Sequence, residues 1–539
     1  MKSVMISAPQ PEAVEVGLGV FEAGGNVMDA AIAAAMVQTV VDPQMCGIAG
    51  FGSMQTYFPK RGGHQFIDFH GRAPLATKPD MWAEIIEHEC DDGFGFVLKD
   101  RVNEFGYQSM TSPMTLGAFD HALRLHGTKS FSELIQPAID FAENGFLVRP
   151  GVYAFWMRPP ESGRIARAAV VNKLEAARKI YLDEYGDLLK VGSVLKNPDM
   201  ASTLRRVAKE GVEVFYKGEI ADQIESDMIK NGGLISKKDL SVCKPKETTP
   251  LIGSYRGLDV ATNQLPGGGA LIIQMLNILE NFDLRALGHN SMHYISIVAE
   301  TMKYATIDKD RYMGDPSFVD VPLELLLDKK YALEISRKIS SGKKADVVRF
   351  RGSAPESKDT THLVVADNEG NVVNLTHSLG SSSGVITDGL GFMYNNCMMV
   401  FDPRPGKPGS LAPGKARFTA MCPTILLKNN KPFLALGAPG GTTITMGILQ
   451  TILNVVDFNM SAGEAVSAPR FCATSNTIEL TNRIFRGVEN KLNLAGYPTF
   501  RNAASYVTPR VHAIRMIDDK LDGGADPAGD GMVALVTQK

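Results

Sequence analysis

The chain has 539 residues, of which 44% are hydrophobic and 21% charged, and its formal net charge is −3. This is the composition of a globular protein. A small net charge without long runs excludes nucleic acid and anionic membrane as main partners.

Length alone allows roughly three or four domains. Met1 to Pro9 holds one Lys and no apolar core, so no secretory signal is expected. The longest apolar stretch, Ala30 to Val41, includes Gln38 and Thr39 and falls short of the ~20 residues a membrane span needs. Asn26 is placed to cap a helix over Val27 and the small residues that follow, with Asp29 in its first turn where the helix dipole favours a negative charge. Small residues on that helix predict close packing on a sheet. Residues 65–70 alternate like a strand that ends at a polar site.

Residues 115–240 read mostly as helices and form a candidate helical lobe. Further helices are expected over 269–282 and 291–313. Residues 343–359 read as an exposed linker. The pattern then changes to short strands at 360–366, 371–376, 391–395, 423–428 and 432–436, followed by helices at 443–457 and 461–466. Strands packed on one another with helices outside fit a layered α/β protein. The six cysteines are scattered with no Cys-x-x-Cys pair or metal-like cluster. Free thiols in a reducing cytoplasm follow as the expected setting.

Thr360-Thr361-His362 ends a polar stretch with Pro355 and Gly352 and opens the strand-like run Leu363-Val364-Val365-Ala366. A chain cut before Thr360 would carry an α-amine beside a hydroxyl, a nucleophile and base in one residue. The plain alternative is a loop-to-strand junction. Pro439-Gly440-Gly441-Thr442-Thr443 follows the apolar run Phe433-Leu434-Ala435-Leu436 and precedes a helix. Such a junction presents backbone N–H groups to an anion or oxyanion, and its plain alternative is a tight turn. No Gly-Lys-Ser/Thr follows it, which argues against a phosphate loop. Pro266-Gly267-Gly268-Gly269 reads as a structural turn or pocket wall. Gly17-Leu18-Gly19 lacks the third glycine of a dinucleotide fingerprint.

Taken in order, several segments resemble the γ-glutamyltranspeptidase family. They are Glu22 to Ala31, Val41-Asp42-Pro43-Gln44 leading to Gly47–Gly52, Asp308 to Pro316, Thr360-Thr361-His362, Met421-Cys422-Pro423-Thr424, Pro439-Gly440-Gly441 and Ala468-Pro469-Arg470-Phe471. The resemblance runs through nearly the whole chain. It implies an αββα four-layer sandwich of the N-terminal-nucleophile (Ntn) hydrolase type. It further implies a precursor cut between Asp359 and Thr360 into a large fragment, 1–359, and a small fragment, 360–539, that remain together as one unit. Thr360 would be the nucleophile and its α-amine the base, with a pKa of ~7.7–8.0 for such a group. Gly440 and Gly441 would form the oxyanion hole, and Ser378 falls where the family has a supporting Thr. The mechanism needs no metal or organic cofactor. A dimer of processed heterodimers is the larger assembly considered.

The resemblance also has gaps. The family holds the glutamyl α-carboxylate with an Arg after Asp-Phe and with paired serines, and its α-amine with Asn, Gln and Asp. Here His70 follows Asp68-Phe69, Thr419-Ala420 replaces the serines, Gly380 replaces the Asn, and Cys397 and Val400 replace the Gln and Asp. Acceptors for an ammonium are lost while the nucleophile and the glycine turn stay. An amide hydrolase for a small substrate without a glutamyl α-amine is therefore expected, similar to oxamate-type amidohydrolases or cephalosporin-acylase-like enzymes. Arg72, two residues beyond His70, is a candidate partner for a substrate carboxylate, or else a structural salt bridge. His70 is either ligand-facing or a satisfied structural histidine, and Cys397 a small apolar wall. The competing readings are glutathione hydrolase or γ-glutamyltransferase activity, and a non-catalytic binding protein on the same fold.

Overall fold

Two antiparallel sheets face each other, and each is backed by helices on its outer side. The computed structural model describes residues 1–61, 63–90, 95–160, 163–347, 360–506 and 509–538. In chain order, the elements that build the layers begin with β1 (Ser3–Ala8), α1 (Pro11–Glu22), α2 (Val27–Val41), β2 (Phe51–Phe58) and β3 (Gly63–Phe69). After a helical region come β4 (Lys246–Thr248), β5 (Leu251–Tyr255), β6 (Leu258–Thr262) and α3 (Gly269–Leu279). Then follow β7 (Thr361–Asp367), β8 (Val372–Ser378), β9 (Thr424–Lys428), β10 (Lys431–Gly437), α4 (Ile444–Val456) and α5 (Ala462–Ser467). The last are β11 (His512–Ile517), β12 (Lys520–Ala525) and β13 (Met532–Thr537).

The first sheet has the order β13-β1-β7-β8-β2-β3-β4 and the second β12-β11-β10-β9-β6-β5. Met5, Val364, Ala366 and Val372 of the first sheet meet Ala261, Ile425, Ala435 and Ile514 of the second in the layer between them. On the other face of the first sheet, Leu363, Val365, Val373 and Leu375 pack with α2. On the outer face of the second, Val260, Leu426 and Leu436 pack with α3 and α4. Alternate strand residues thus serve different layers, as the period of two requires. The result is a helix–sheet–sheet–helix sandwich.

Every residue of α2 is buried. The Asn26 side chain accepts from the Met28 and Asp29 N–H groups at 2.8 and 3.0 Å, and Asp29 accepts from the Asn26 N–H at 2.8 Å. This reciprocal cap satisfies helix-end donors that the buried setting would leave unpaired. Between Thr115 and Val242 the described chain is mainly helical, and Phe146–Leu147 pairs antiparallel with Val194–Leu195 across the helices between them. The apolar residues of this region share a core with α2 rather than forming a separate one.

Two sequence expectations change. Residues 391–395 form no strand: Gly389 and Gly391 adopt positive φ of 75° and 72°, and Tyr394 makes only a single bridge to Ala49. The extended run is interrupted before a ladder can form. Residues 343–347 are not all exposed, because Ala345 and Val347 are buried. Their N–H groups donate to Glu300 at 2.6 Å and Asn476 at 2.9 Å. The rest of the expected linker, 348–359, lies outside the described residues. In addition, the strands β1, β11, β12 and β13 carry no alternation strong enough to announce them, and β1 lies second from one edge of its sheet, between β13 and β7.

Candidate active site

Thr360 immediately precedes β7, and Ser378 ends the neighbouring β8. The register pairs Thr361 with His377 and His362 with Thr376, which brings Thr360 level with Ser378 across the two strands. Val364 and Val372 point into the layer between the sheets, so Thr360 and Ser378, two-residue steps away along their strands, face the same layer at its end. The Thr360 and Ser378 hydroxyl oxygens are 3.1 Å apart. The Ser378 hydroxyl also accepts from the Gly380 N–H at 2.8 Å. Both residues are buried.

A cavity of about 30 Å³ opens beside them, room for roughly two water molecules. Thr360, Ser378, Gly380, Cys397, Arg417 and Thr419 line it, and Gly441 and Ile444 border it at the start of α4. Gly380 has φ 70°, and a Cβ there would come within 2.6 Å of the Asn396 side-chain oxygen. That oxygen already accepts from the Ser381 N–H at 2.6 Å. Position 380 therefore requires glycine on two counts, conformation and space.

β10 ends at Gly437, and the turn Pro439-Gly440-Gly441 leads into a short 3-10 turn, Gly441–Thr443, and then α4. Gly440 has φ 149°, and a Cβ on it would lie 2.7 Å from Pro509 Cβ. The Gly440 carbonyl accepts from the Thr443 N–H at 3.2 Å and from its hydroxyl at 2.7 Å. The turn is thereby fixed at the N-terminal end of a buried helix, where backbone N–H groups favour developing negative charge.

The residues singled out from the sequence divide into two groups. Thr360, Ser378, Gly380, Cys397, Thr419 and Gly441 line one cavity, with Gly440 next in the chain to it. His70 and Arg72 are not among its lining residues. His70 is buried, and its backbone N–H and ring Nδ1 both reach the Asp68 carboxylate. Burial pushes the Asp68 carboxyl up, but His70 and Arg72 outweigh it and hold the group below its ordinary range. Arg72 donates to the Gly414 carbonyl at 3.3 Å and lies 3.8 Å from Asp315. Arg72 thus has the partners of a structural salt bridge, while the His70 Nε2 is buried with no hydrogen-bond partner among the described residues. Asp359, the other half of the expected scissile bond, lies outside the described residues. Burial pushes the Cys397 thiol up, with Arg417 working the other way, so Cys397 stays a neutral wall and a poor nucleophile.

Sequence reasoning missed Arg417, together with Ser381, Asn396 and Ile444. Arg417 had a signal: it stands two residues before Thr419 in a segment leading into β9, and residues two apart in an extended chain share a face.

This arrangement places a threonine hydroxyl, a supporting serine and a glycine turn around one small cavity. That is the outfit for attack on a carbonyl and stabilisation of the oxyanion. The sequence model described as gamma-glutamyltranspeptidase matches residues 13–536. The chain is 36% identical over 537 residues to the Acylase ACY 1 proenzyme of Pseudomonas sp. (strain V22), covering 99% of this chain and 93% of the relative. It is 35% identical over 492 residues to the glutathione hydrolase proenzyme of Escherichia coli (strain K12), covering 87% and 81%. Among solved structures it is similar to cephalosporin acylase from Bacillus halodurans, with a TM-score of 0.86 at 27% identity, covering 99% of this chain and 96% of that one.

Proposed function

The chain belongs to the γ-glutamyltranspeptidase family of Ntn hydrolases, enzymes that act on amide bonds with a threonine nucleophile, and we propose that it cleaves a small amide lacking a γ-glutamyl α-amine. The observation that carries this reading is the charge of the cavity. Among the described lining residues there is one guanidinium, from Arg417, and no Asp or Glu. An ammonium buried there would face a like charge without a counter-ion, at a cost of several kcal/mol.

The precursor first activates itself. The Thr360 hydroxyl attacks the Asp359 carbonyl carbon, the C–N bond to Thr360 breaks, and the nitrogen takes up the proton. Water hydrolyses the resulting ester, leaving a carboxylate on Asp359 and an α-amine on Thr360. Fragments 1–359 and 360–539 remain one unit, because β7 and β8 of the second lie between β1 and β2 of the first.

In turnover the α-amine takes the Thr360 hydroxyl proton as Oγ bonds to the substrate carbonyl. The oxyanion is stabilised at Gly440 and Gly441, the C–N bond breaks, and the leaving amine receives the proton. Water then attacks the acyl-Thr360 ester and releases the acid. Ser378 holds the nucleophile's hydroxyl in place throughout. The scattered cysteines, with no Cys-x-x-Cys pair among them, support a reducing cytoplasm as the setting, and recovery of the protein in the secreted fraction of expressing cells would overturn that placement.

A γ-glutamyl anilide tested beside simple acyl anilides decides the substrate. Efficient turnover of simple acyl anilides with poor γ-glutamyl turnover is expected. The second reading, glutathione hydrolysis or γ-glutamyl transfer, draws on the E. coli relative, and a γ-glutamyl preference in the same assay would establish it.

A further inference from the structure

We infer that Gln10 and Gln38 are positioning residues for the nucleophile: from the face of the first sheet opposite the cavity they hold the Thr361 hydroxyl, and so fix Thr360 once the cut has made it a chain end. This rests on the preceding reading of Thr360 as the attacking residue.

The strand that follows the nucleophile is laddered unevenly. β7 pairs with β8 from Thr361, opposite His377, onward. Its ladder to β1 begins only at Val364, opposite Ser7. Thr361, His362 and Leu363 thus have a strand partner on one edge alone. After processing, Thr360 begins a chain, and chain ends order poorly unless something ties them down.

Side chains supply the tie. Thr361 points away from Thr360, to the face on which Leu363 and Val365 pack with α2. There its hydroxyl oxygen accepts from Gln10 Nε2 at 2.9 Å and from Gln38 Nε2 at 3.3 Å, and its O–H donates to Gln10 Oε1 at 3.4 Å. Gln38 Nε2 also donates to Gln10 Oε1 at 2.5 Å, and Gln10 Nε2 donates to the Asp42 carboxylate. The His377 ring completes the cluster. Its Nε2 donates to Gln38 Oε1 at 2.9 Å, because an amide oxygen can only accept. Gln10, Gln38, Thr361 and His377 are fully buried.

Buried amides are costly unless their polar atoms are paired. Here all four amide atoms of the two glutamines have partners, and three of the bonds meet at one hydroxyl next to the nucleophile. Gln10 stands at the start of α1, yet its side chain makes no cap on that helix and turns to Thr361 and Asp42 instead. Apolar side chains could fill the same layer, but a satisfied polar cluster also fixes direction. The holding groups come from α1, α2 and β8, three elements that the cut leaves in place. The peptide joining Thr360 to Thr361 is planar, so a fixed Thr361 leaves the Thr360 hydroxyl and α-amine few orientations toward the cavity.

The test measures kcat and KM for a simple acyl anilide on the processed protein and its Thr361→Val, Thr361→Ser and Gln38→Met variants. Valine keeps the branched shape and loses the hydroxyl, while methionine keeps the bulk and loses the amide. Both changes should lower kcat about 10- to 100-fold with KM within about twofold, as misplacement of a reacting group does. Thr361→Ser should recover most of the rate. A merely structural cluster would lower the melting temperature and leave kcat of the folded enzyme in place. Where neither Thr361→Val nor Gln38→Met yields processed protein, amide hydrogen exchange on the unsubstituted processed protein decides. Residues 361–363 should then exchange as slowly as residues 364–366, which have strands on both sides. An unchanged kcat in Thr361→Val or Gln38→Met, a loss that Thr361→Ser does not recover, or fast exchange at 361–363 overturns the positioning role and leaves the amidase reading intact. Failure of the unsubstituted processed protein to hydrolyse any anilide overturns both.

Discussion

Replacing Ser378 by Ala probes the nucleophile's support directly. The Ser378 hydroxyl lies 3.1 Å from the Thr360 hydroxyl and accepts from the Gly380 N–H at 2.8 Å. Alanine removes both contacts at a buried position and leaves the Gly380 N–H without that acceptor. An unpaired buried donor costs about 1–3 kcal/mol, and a lost neutral hydrogen bond about 1 kcal/mol. If the positioning part is paid in the transition state, a loss of about 1.4–2.7 kcal/mol means a drop in kcat of about 10- to 100-fold. Fragment formation should slow similarly, because the same hydroxyl acts in the precursor. Steady-state rates on a chromogenic amide, with gel analysis of fragment formation over time, provide the readout. Ser378→Thr keeps the hydroxyl and should recover most of both rates. A Ser378→Ala protein within twofold of the unsubstituted enzyme in both assays would refute the assigned role.

Gly440→Ala should lower kcat at least ~10-fold, because φ 149° and a Cβ only 2.7 Å from Pro509 displace the turn; unchanged kinetics would remove this turn from the site. Burial holds His377 and His512 neutral with pKa lowered to about 3, Arg510 and Arg470 adding to the effect at His512. Their folded pKa values lie below the ordinary one, so their full stability is present above pH ~6.5 and declines as pH falls toward the folded pKa, by about 2 kcal/mol per histidine at pH 5. Urea unfolding between pH 7.5 and 5 should show this decline, and His377→Gln should flatten the slope by about one proton; an unaltered slope would contradict it. Arg470 reaches Asp526, the Val466 carbonyl at 2.6 Å and the Pro509 carbonyl at 3.0 Å, all in the interior. Arg470→Met should therefore destabilise the protein by about 3–5 kcal/mol through the stranded Asp526 carboxylate, and a melting temperature equal to that of the unsubstituted protein would exclude this.

How far the sequence reveals these features depends on whether the deciding interaction is local. Asn26 and Asp29 announce α2 because a capping box is contained within four residues. Thr360 and the Pro439-Gly440-Gly441 turn are visible because each sits at a sharp change of pattern. β12, Lys520–Ala525, carries two glycines and a charged start, a pattern that does not announce a strand; its place in the second sheet comes from pairing with β11. β1 owes its place between two strands to partners more than 350 residues away in the chain, such as Ala366 opposite Met5. Arg72 and Arg417 differ in the same way. Arg72 has the more suggestive address, next to the family's Asp-Phe position, but Asp315 and the Gly414 carbonyl hold it. Arg417 has no motif of its own and reaches the cavity because the segment before β9 runs along its wall.

The central claim is that Thr360 becomes a free N-terminal nucleophile. Intact mass of the purified protein under denaturing conditions, with sequencing of the smaller species, tests it most directly. The account predicts two fragments, residues 1–359 and residues 360–539, the second beginning at Thr360, and a single 58.3 kDa chain after Thr360→Ala. An unsubstituted protein that stays one 58.3 kDa chain while hydrolysing amides, or fragments that begin elsewhere, would contradict it.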